Sequence, residues 1–205
     1  MFLDVLETLP GQQAPEFEPL SQATADERSS AASLVEVYRQ EFRAMFDASR
    51  HGARWRNDET LMATFTQNDV TPEDFAALMI RMSCAIAAGE ISPEVDLREV
   101  AAGADAQVAR LVEDINRLDA APRTPQAVDE RRQALESLQN FVAFSEFTTI
   151  LREVPEASRE VVARHRSQLA GHLPQTGTVE QFERTIESKV VPTSFEQIPV
   201  PQPGR

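Results

Sequence analysis

A chain of 205 residues is long enough to bury the core of one ordinary domain, and its formal charge of −13 opposes binding to the phosphate backbone of nucleic acid. The single cysteine, Cys84, excludes an internal disulfide and fits a reducing compartment. Because no run of about 18 uncharged apolar residues occurs, the sequence predicts no membrane span.

The first 23 residues are interpreted as an acidic arm with a short apolar segment. The apolar residues from Phe2 to Leu9 predict two helical turns that Pro10 ends. A helix this short is marginal in water, so it must dock on its own bundle or on a partner. The start of the chain lacks the basic residues of a signal peptide, which predicts a cytoplasmic location, or a virion location for a phage protein.

Next, the apolar spacing predicts a long helix over 25–50 and a shorter one over 58–66. Gly52 stands where a glycine often ends a helix. Three later sites place a hydroxyl before a proline, which is the pattern of a helix N-cap: Thr71-Pro72, Ser92-Pro93 and Thr124-Pro125. They predict helices over 72–88, 93–120 and 125–153, followed by helices over 155–170 and 179–190.

The stretch from Thr124 to Val154 is predicted to be the central helix. Its apolar residues, which include Phe141, Phe144 and Phe147, recur at spacings of three and four. Such a helix must be surrounded by others. The expected fold is therefore all-α, a bundle of six to eight helices over residues 24–190, with a proline-rich arm over 191–205.

No motif in the sequence specifies a reaction or a cofactor. Cys84 has no histidine or lysine nearby in sequence to activate it, so a buried structural thiol is the favoured interpretation. His165 and His172 lie seven residues apart. A metal or haem pair is the sharper hypothesis for them, and a partly buried histidine at the edge of the core is the plainer one. No cofactor is expected.

One basic stretch stands out in this acidic chain: Arg50, His51, Gly52, Ala53, Arg54, Trp55 and Arg56. In one interpretation Arg50 and His51 complement the negative end of the preceding helix while Trp55 packs onto the bundle. In the other, Arg50, Arg54, Trp55 and Arg56 form a protein-binding site for an acidic segment, since tryptophan and arginine are enriched at binding hot spots. The acidic arm, in cis or from a neighbouring copy, is a candidate ligand.

Three functional hypotheses follow from these features. The first is a non-enzymatic assembly or adaptor subunit of a bacterial or phage complex, which binds partner proteins through apolar residues of its arms: Phe2, Leu3, Leu6, Phe195 and Ile198. The second is a small acidic inhibitor or immunity-type protein that covers a basic surface. The third is an enzyme or cofactor carrier with a site between helices. Protein partners, including a second copy, are expected in the first two.

Overall fold

The computed structural model describes residues 2–9, 11, 14–17 and 29–169. Within these residues the chain forms eight helices and no strand, which confirms the all-α prediction. The helices are α1 (Phe2–Thr8), α2 (Ala31–Ala44), α3 (Ala48–Trp55), α4 (Glu59–Gln67), α5 (Pro72–Glu90), α6 (Leu97–Ala120), α7 (Pro125–Arg152) and α8 (Glu156–Leu169).

Two of the three predicted hydroxyl–proline starts are confirmed. Thr71 accepts a hydrogen bond from the backbone N–H of Asp74, and Thr124 accepts one from that of Ala127. The prediction at Ser92 is wrong, because its carbonyl closes a turn with the N–H of Val95. Helix α6 begins later, where Asp96 accepts a hydrogen bond from the N–H of Arg98 at 2.8 Å.

The predicted single helix over 25–50 is also wrong, because α2 ends at Ala44 and the residues from Met45 to Asp47 are not helical. The Asp47 carboxylate accepts a hydrogen bond from the N–H of Ser49 and starts α3 as a separate helix. Gly52 consequently lies inside α3 and does not end a helix. Similarly, Gly103 does not interrupt α6, and α5 continues past Gly89 to Glu90.

The main core lies between α2, α6, α7 and the second half of α5. As predicted, α7 is at its centre, and Phe144 is only 7% exposed. The carboxylate of Glu146 on α7 is buried. It accepts two hydrogen bonds from the guanidinium group of Arg43 on α2, at 2.7 and 3.2 Å, and it lies 3.3 Å from the Nε atom of Arg39. The larger buried side chains of the main core are Leu34, Tyr38, Val108, Ile115, Leu138, Phe141, Val142, Phe144 and Leu151.

A second core, here called the Trp55 core, lies between α1, α3, α4 and the first half of α5. Its buried apolar residues are Val5, Leu6, Leu9, Ala14, Trp55, Phe65, Phe75, Ala76 and Met79. The short apolar helix of the N-terminal arm therefore docks on its own bundle, which is one of the two alternatives that the sequence leaves open.

Helix α8 packs against α5 through a third, small cluster that contains Ala85, Val162 and Leu169. The predicted helix over 179–190 and the proline-rich arm, with Phe195 and Ile198, lie outside the described residues. Among the helices that the structure describes, none combines the length and apolar character needed to cross a bilayer.

Candidate protein-binding surface on α3

The surface is built around two residues of α3 that are one helical turn apart, His51 and Trp55. Both are buried, at 1% and 4% exposure, and both face the N-terminal segment, here residues 2–17. The ring of Phe17 meets that of His51 edge to face at a centroid distance of 4.7 Å and lies 5.8 Å from the ring of Trp55. The segment thus covers the only tryptophan of the chain.

The aromatic rings of α4 and α5 form the floor of this surface. Trp55 lies 6.2 Å from both Phe65 and Phe75, and those two rings are 5.2 Å apart. Such tilted and edge-on contacts add to the stabilisation that area burial supplies. We call the side chains that the segment covers the Trp55 face: His51, Trp55, Phe65, Phe75 and Met79.

The N-terminal segment presents an apolar side to this face and an acidic side to solvent. Val5 and Leu6 of α1 are buried with Leu9, which follows the helix, while Asp4, Glu7 and Glu16 are exposed. Thr8 accepts a hydrogen bond from the side-chain amide of Asn68 at 3.0 Å, which ties α1 to the end of α4. Of the other predicted arm residues, Phe2 and Leu3 lie in α1.

His51 serves the end of the preceding helix, as the first interpretation predicts. Its Nε2 atom is 2.8 Å from the carbonyl oxygen of Met45, the residue that caps α2. The other ring nitrogen, Nδ1, is buried and has no hydrogen-bond partner in the part of the chain that the structure describes. Arg50 also lies within α3, and its role at the end of the preceding helix stays a prediction.

The structure separates Trp55 from the three arginines of the predicted binding cluster. Trp55 is turned into the second core, whereas Arg50, Arg54 and Arg56 are exposed. Arg56 forms an ion pair with Glu73 of α5 at 2.9 Å. The Glu73 side chain crosses α3 directly over Gly52, where a Cβ atom would come within 2.7 Å of the Glu73 Cγ atom. The cluster is therefore a buried aromatic group with a basic rim.

The remaining candidates that the structure describes are a buried thiol and an exposed histidine. Burial raises the pKa of the Cys84 thiol to about 11, which keeps it protonated and unreactive near neutral pH. His165 is exposed and lies 3.0 Å from Gln168, which contradicts its predicted place at the edge of the core. His172 is outside the described residues. Among described residues, no group of three or more potential ligands is positioned to hold a metal ion.

Neither a family model, nor a curated protein, nor a solved structure matches this chain. The functional argument consequently depends on the Trp55 face itself. Sequence reasoning missed two residues that shape it, Phe17 and Glu73, and gave His51 a role only at the end of a helix. Phe17 carries the one available signal, because an aromatic residue between two prolines in a polar linker needs a place to be buried.

Proposed function

We propose that this protein is a non-enzymatic adaptor or assembly subunit that binds partner proteins at the Trp55 face. The observation that carries the proposal is the occupation of this face by a short, acidic segment of the chain itself. An amphipathic helix laid on an aromatic surface is a recurrent mode of peptide recognition. The surface also has the composition of a binding hot spot, a buried tryptophan bordered by arginines.

The docked segment indicates the chemistry of the partner. Val5, Leu6 and Leu9 supply the helical apolar side, and Phe17 supplies an aromatic anchor further along. The basic rim of α3 favours acidic residues next to those apolar groups, because opposite charges increase the association rate and exclude basic competitors. The partner is therefore a protein that offers an acidic segment with a short apolar helix followed by an aromatic residue.

In the isolated protein the N-terminal segment competes with such a partner. A tethered ligand acts at an effective concentration that reaches millimolar values for short linkers. The apparent association constant for a partner segment then equals the intrinsic constant multiplied by the fraction of molecules whose Trp55 face is vacant. Mutations that undock the N-terminal segment should accordingly strengthen binding in trans.

The test uses the full chain with Leu6→Glu and Leu9→Glu, which places two charges on the docked side of the segment. A fluorescently labelled peptide of residues 1–18 should bind this variant at least about tenfold more tightly than it binds the wild type. The matched control is the same peptide carrying both glutamates, which should not bind. Equal affinity of the two proteins for the native peptide, with the variant folded by circular dichroism, would contradict the proposal.

The basic rim is tested by Arg54→Glu in the undocked variant. Arg54 is exposed, so the change should weaken binding of the native peptide several-fold, and the difference should shrink as salt screens the charges. The matched control is Arg98→Glu on α6, which changes the net charge equally and should leave affinity almost unaltered. If both substitutions have the same effect, only the overall charge of the protein is involved and the rim has no specific role.

A further inference from the structure

The hydrogen bond made by His51 determines which tautomer of the neutral ring fits this position. The carbonyl oxygen of Met45 can only accept a hydrogen bond, so the Nε2 atom at 2.8 Å must carry the proton. In the neutral ring the Nδ1 atom is then an acceptor. This acceptor is buried and receives no hydrogen bond from any residue that the structure describes.

Among the described residues of the covering segment, none donates a hydrogen bond to this nitrogen. Phe17 packs edge to face against the ring at 4.7 Å, and its side chain contains no polar atom. A buried acceptor that loses its partners in water and gains none weakens whatever interaction buries it. In its described residues the chain's own segment therefore leaves one acceptor unpaired, on the ring against which its aromatic anchor packs.

We infer that the partner segment recognised by the Trp55 face carries a hydrogen-bond donor at the place of Phe17, and that this donor pairs with the Nδ1 atom of His51. A tyrosine hydroxyl is the donor that preserves the aromatic packing. The inference rests on the proposed function and deepens it, because it names the feature by which a partner outcompetes the N-terminal segment.

A polar pair in an apolar surface discriminates strongly between ligands. A site built to hydrogen-bond one group rejects an analogue that lacks it, since the analogue leaves the buried protein atom unpaired. His51 would thus recognise one position of the bound segment, while Trp55 accepts any ring of suitable size at that position. The N-terminal segment, with phenylalanine at this position, remains a displaceable occupant.

The experiment measures binding of three peptides of residues 1–18 to the full chain carrying Leu6→Glu and Leu9→Glu. The peptides have phenylalanine, tyrosine or 4-methylphenylalanine at position 17. The third matches tyrosine in size but lacks the donor. We expect the tyrosine peptide to bind about tenfold more tightly than the phenylalanine peptide, and 4-methylphenylalanine to give no such gain.

The same peptides are then tested against a protein that also carries His51→Gln. A glutamine amide can take the place of Nε2 and keep the hydrogen bond to the Met45 carbonyl, but it has no atom at the Nδ1 position. The advantage of tyrosine should disappear in this variant while the phenylalanine peptide still binds. This outcome would assign the gain to the nitrogen rather than to ring size.

The possible failures are distinct. If the phenylalanine peptide binds neither protein, the proposed function is wrong and the inference is lost with it. If that peptide binds but tyrosine gives no gain, the donor is not recognised. A gain that persists in His51→Gln, or that 4-methylphenylalanine reproduces, overturns the role of Nδ1 and leaves the proposed function standing.

Discussion

The main core and the Trp55 core bury apolar side chains between helices of different length. The main core joins long helices, and its helices α6 and α7 run antiparallel over 24 and 28 residues. The Trp55 core joins helices of seven to nine residues to one end of α5. The N-terminal segment completes this core, and residues 18–28 separate that segment in sequence from the rest of the bundle.

This difference indicates which part of the molecule is most stable and which part can open locally. Short helices depend on tertiary contacts for their existence, whereas long paired helices also carry many internal hydrogen bonds. The N-terminal segment is held on the Trp55 face by side-chain contacts, so local opening can release it without unfolding the rest. Helix α5 belongs to both cores, with Phe75 and Met79 in one and Cys84 in the other.

The largest expected effect is in the main core. Phe144→Ala should reduce the free energy of unfolding by about 3–5 kcal/mol, because it removes a buried ring from the centre of α7. Urea denaturation monitored by circular dichroism measures the loss. A reduction below about 1 kcal/mol would show that α7 is not the core element.

A second prediction uses the pH dependence of the Cys84 thiol. Its folded pKa of about 11 lies above the ordinary value, so the folded state holds the proton more tightly. Its contribution to stability is complete below the unfolded pKa and is lost as pH rises towards the folded pKa. Between about pH 8 and pH 10.5 the wild type should lose roughly 2 kcal/mol more than Cys84→Ala. Parallel curves for the two proteins would refute the effect of burial.

A smaller effect on global unfolding is expected in the Trp55 core. Leu6 is as deeply buried as any main-core residue, yet Leu6→Ala should cost only about 1 kcal/mol. The segment can undock, so its docking free energy limits the loss. The fluorescence of Trp55 should nevertheless shift to longer wavelength at low urea concentration, before helicity changes. A cost of about 3 kcal/mol or more, with both signals changing together, would make the two cores one cooperative unit.

The smallest effect concerns Gly52. A Cβ atom at this position collides with the flexible side chain of Glu73, while alanine is favoured over glycine in a helix by about 1 kcal/mol. The two terms should nearly cancel in Gly52→Ala. In a Glu73→Ala background the collision is absent, so Gly52→Ala should stabilise the protein by about 0.5–1 kcal/mol. Thermal unfolding of the four proteins in this double-mutant cycle provides the measurement.

The sequence predicts most of the main core and little of the Trp55 core, for a physical reason. The apolar spacing of α7 and the caps at Thr71 and Thr124 are local signals, and these three are present in the fold. The break at Asp47 is decided by packing, since Phe46 stacks on Phe147 of α7 while Trp55 enters the other core. Periodicity alone cannot show that one helical pattern serves two cores.

The candidate site was predicted in part, for a similar reason. Composition singled out Arg50, Arg54, Trp55 and Arg56, but it could not show which side chains turn inward. The burial of His51 depends on Phe17, which is 34 positions away, and on the carbonyl of Met45. Contacts between segments this distant, with one side outside any regular element, leave no periodic trace in a sequence.

The ion pair between Glu146 and the two arginines of α2 also fixes how far α2 can slide along α7. One helical turn is about 5.4 Å, and the residue one turn before Arg43 on α2 is Arg39. A slip that moves both arginines past Glu146 would leave its buried carboxylate unpaired, because α2 ends at Ala44. A slip the other way keeps the charges matched but pulls Phe42 away from Phe147, 6.4 Å from it now. Charge opposes a slip in one direction and packing opposes a slip in the other. The position of α2 along α7 is therefore fixed, and with it the place where α3 begins.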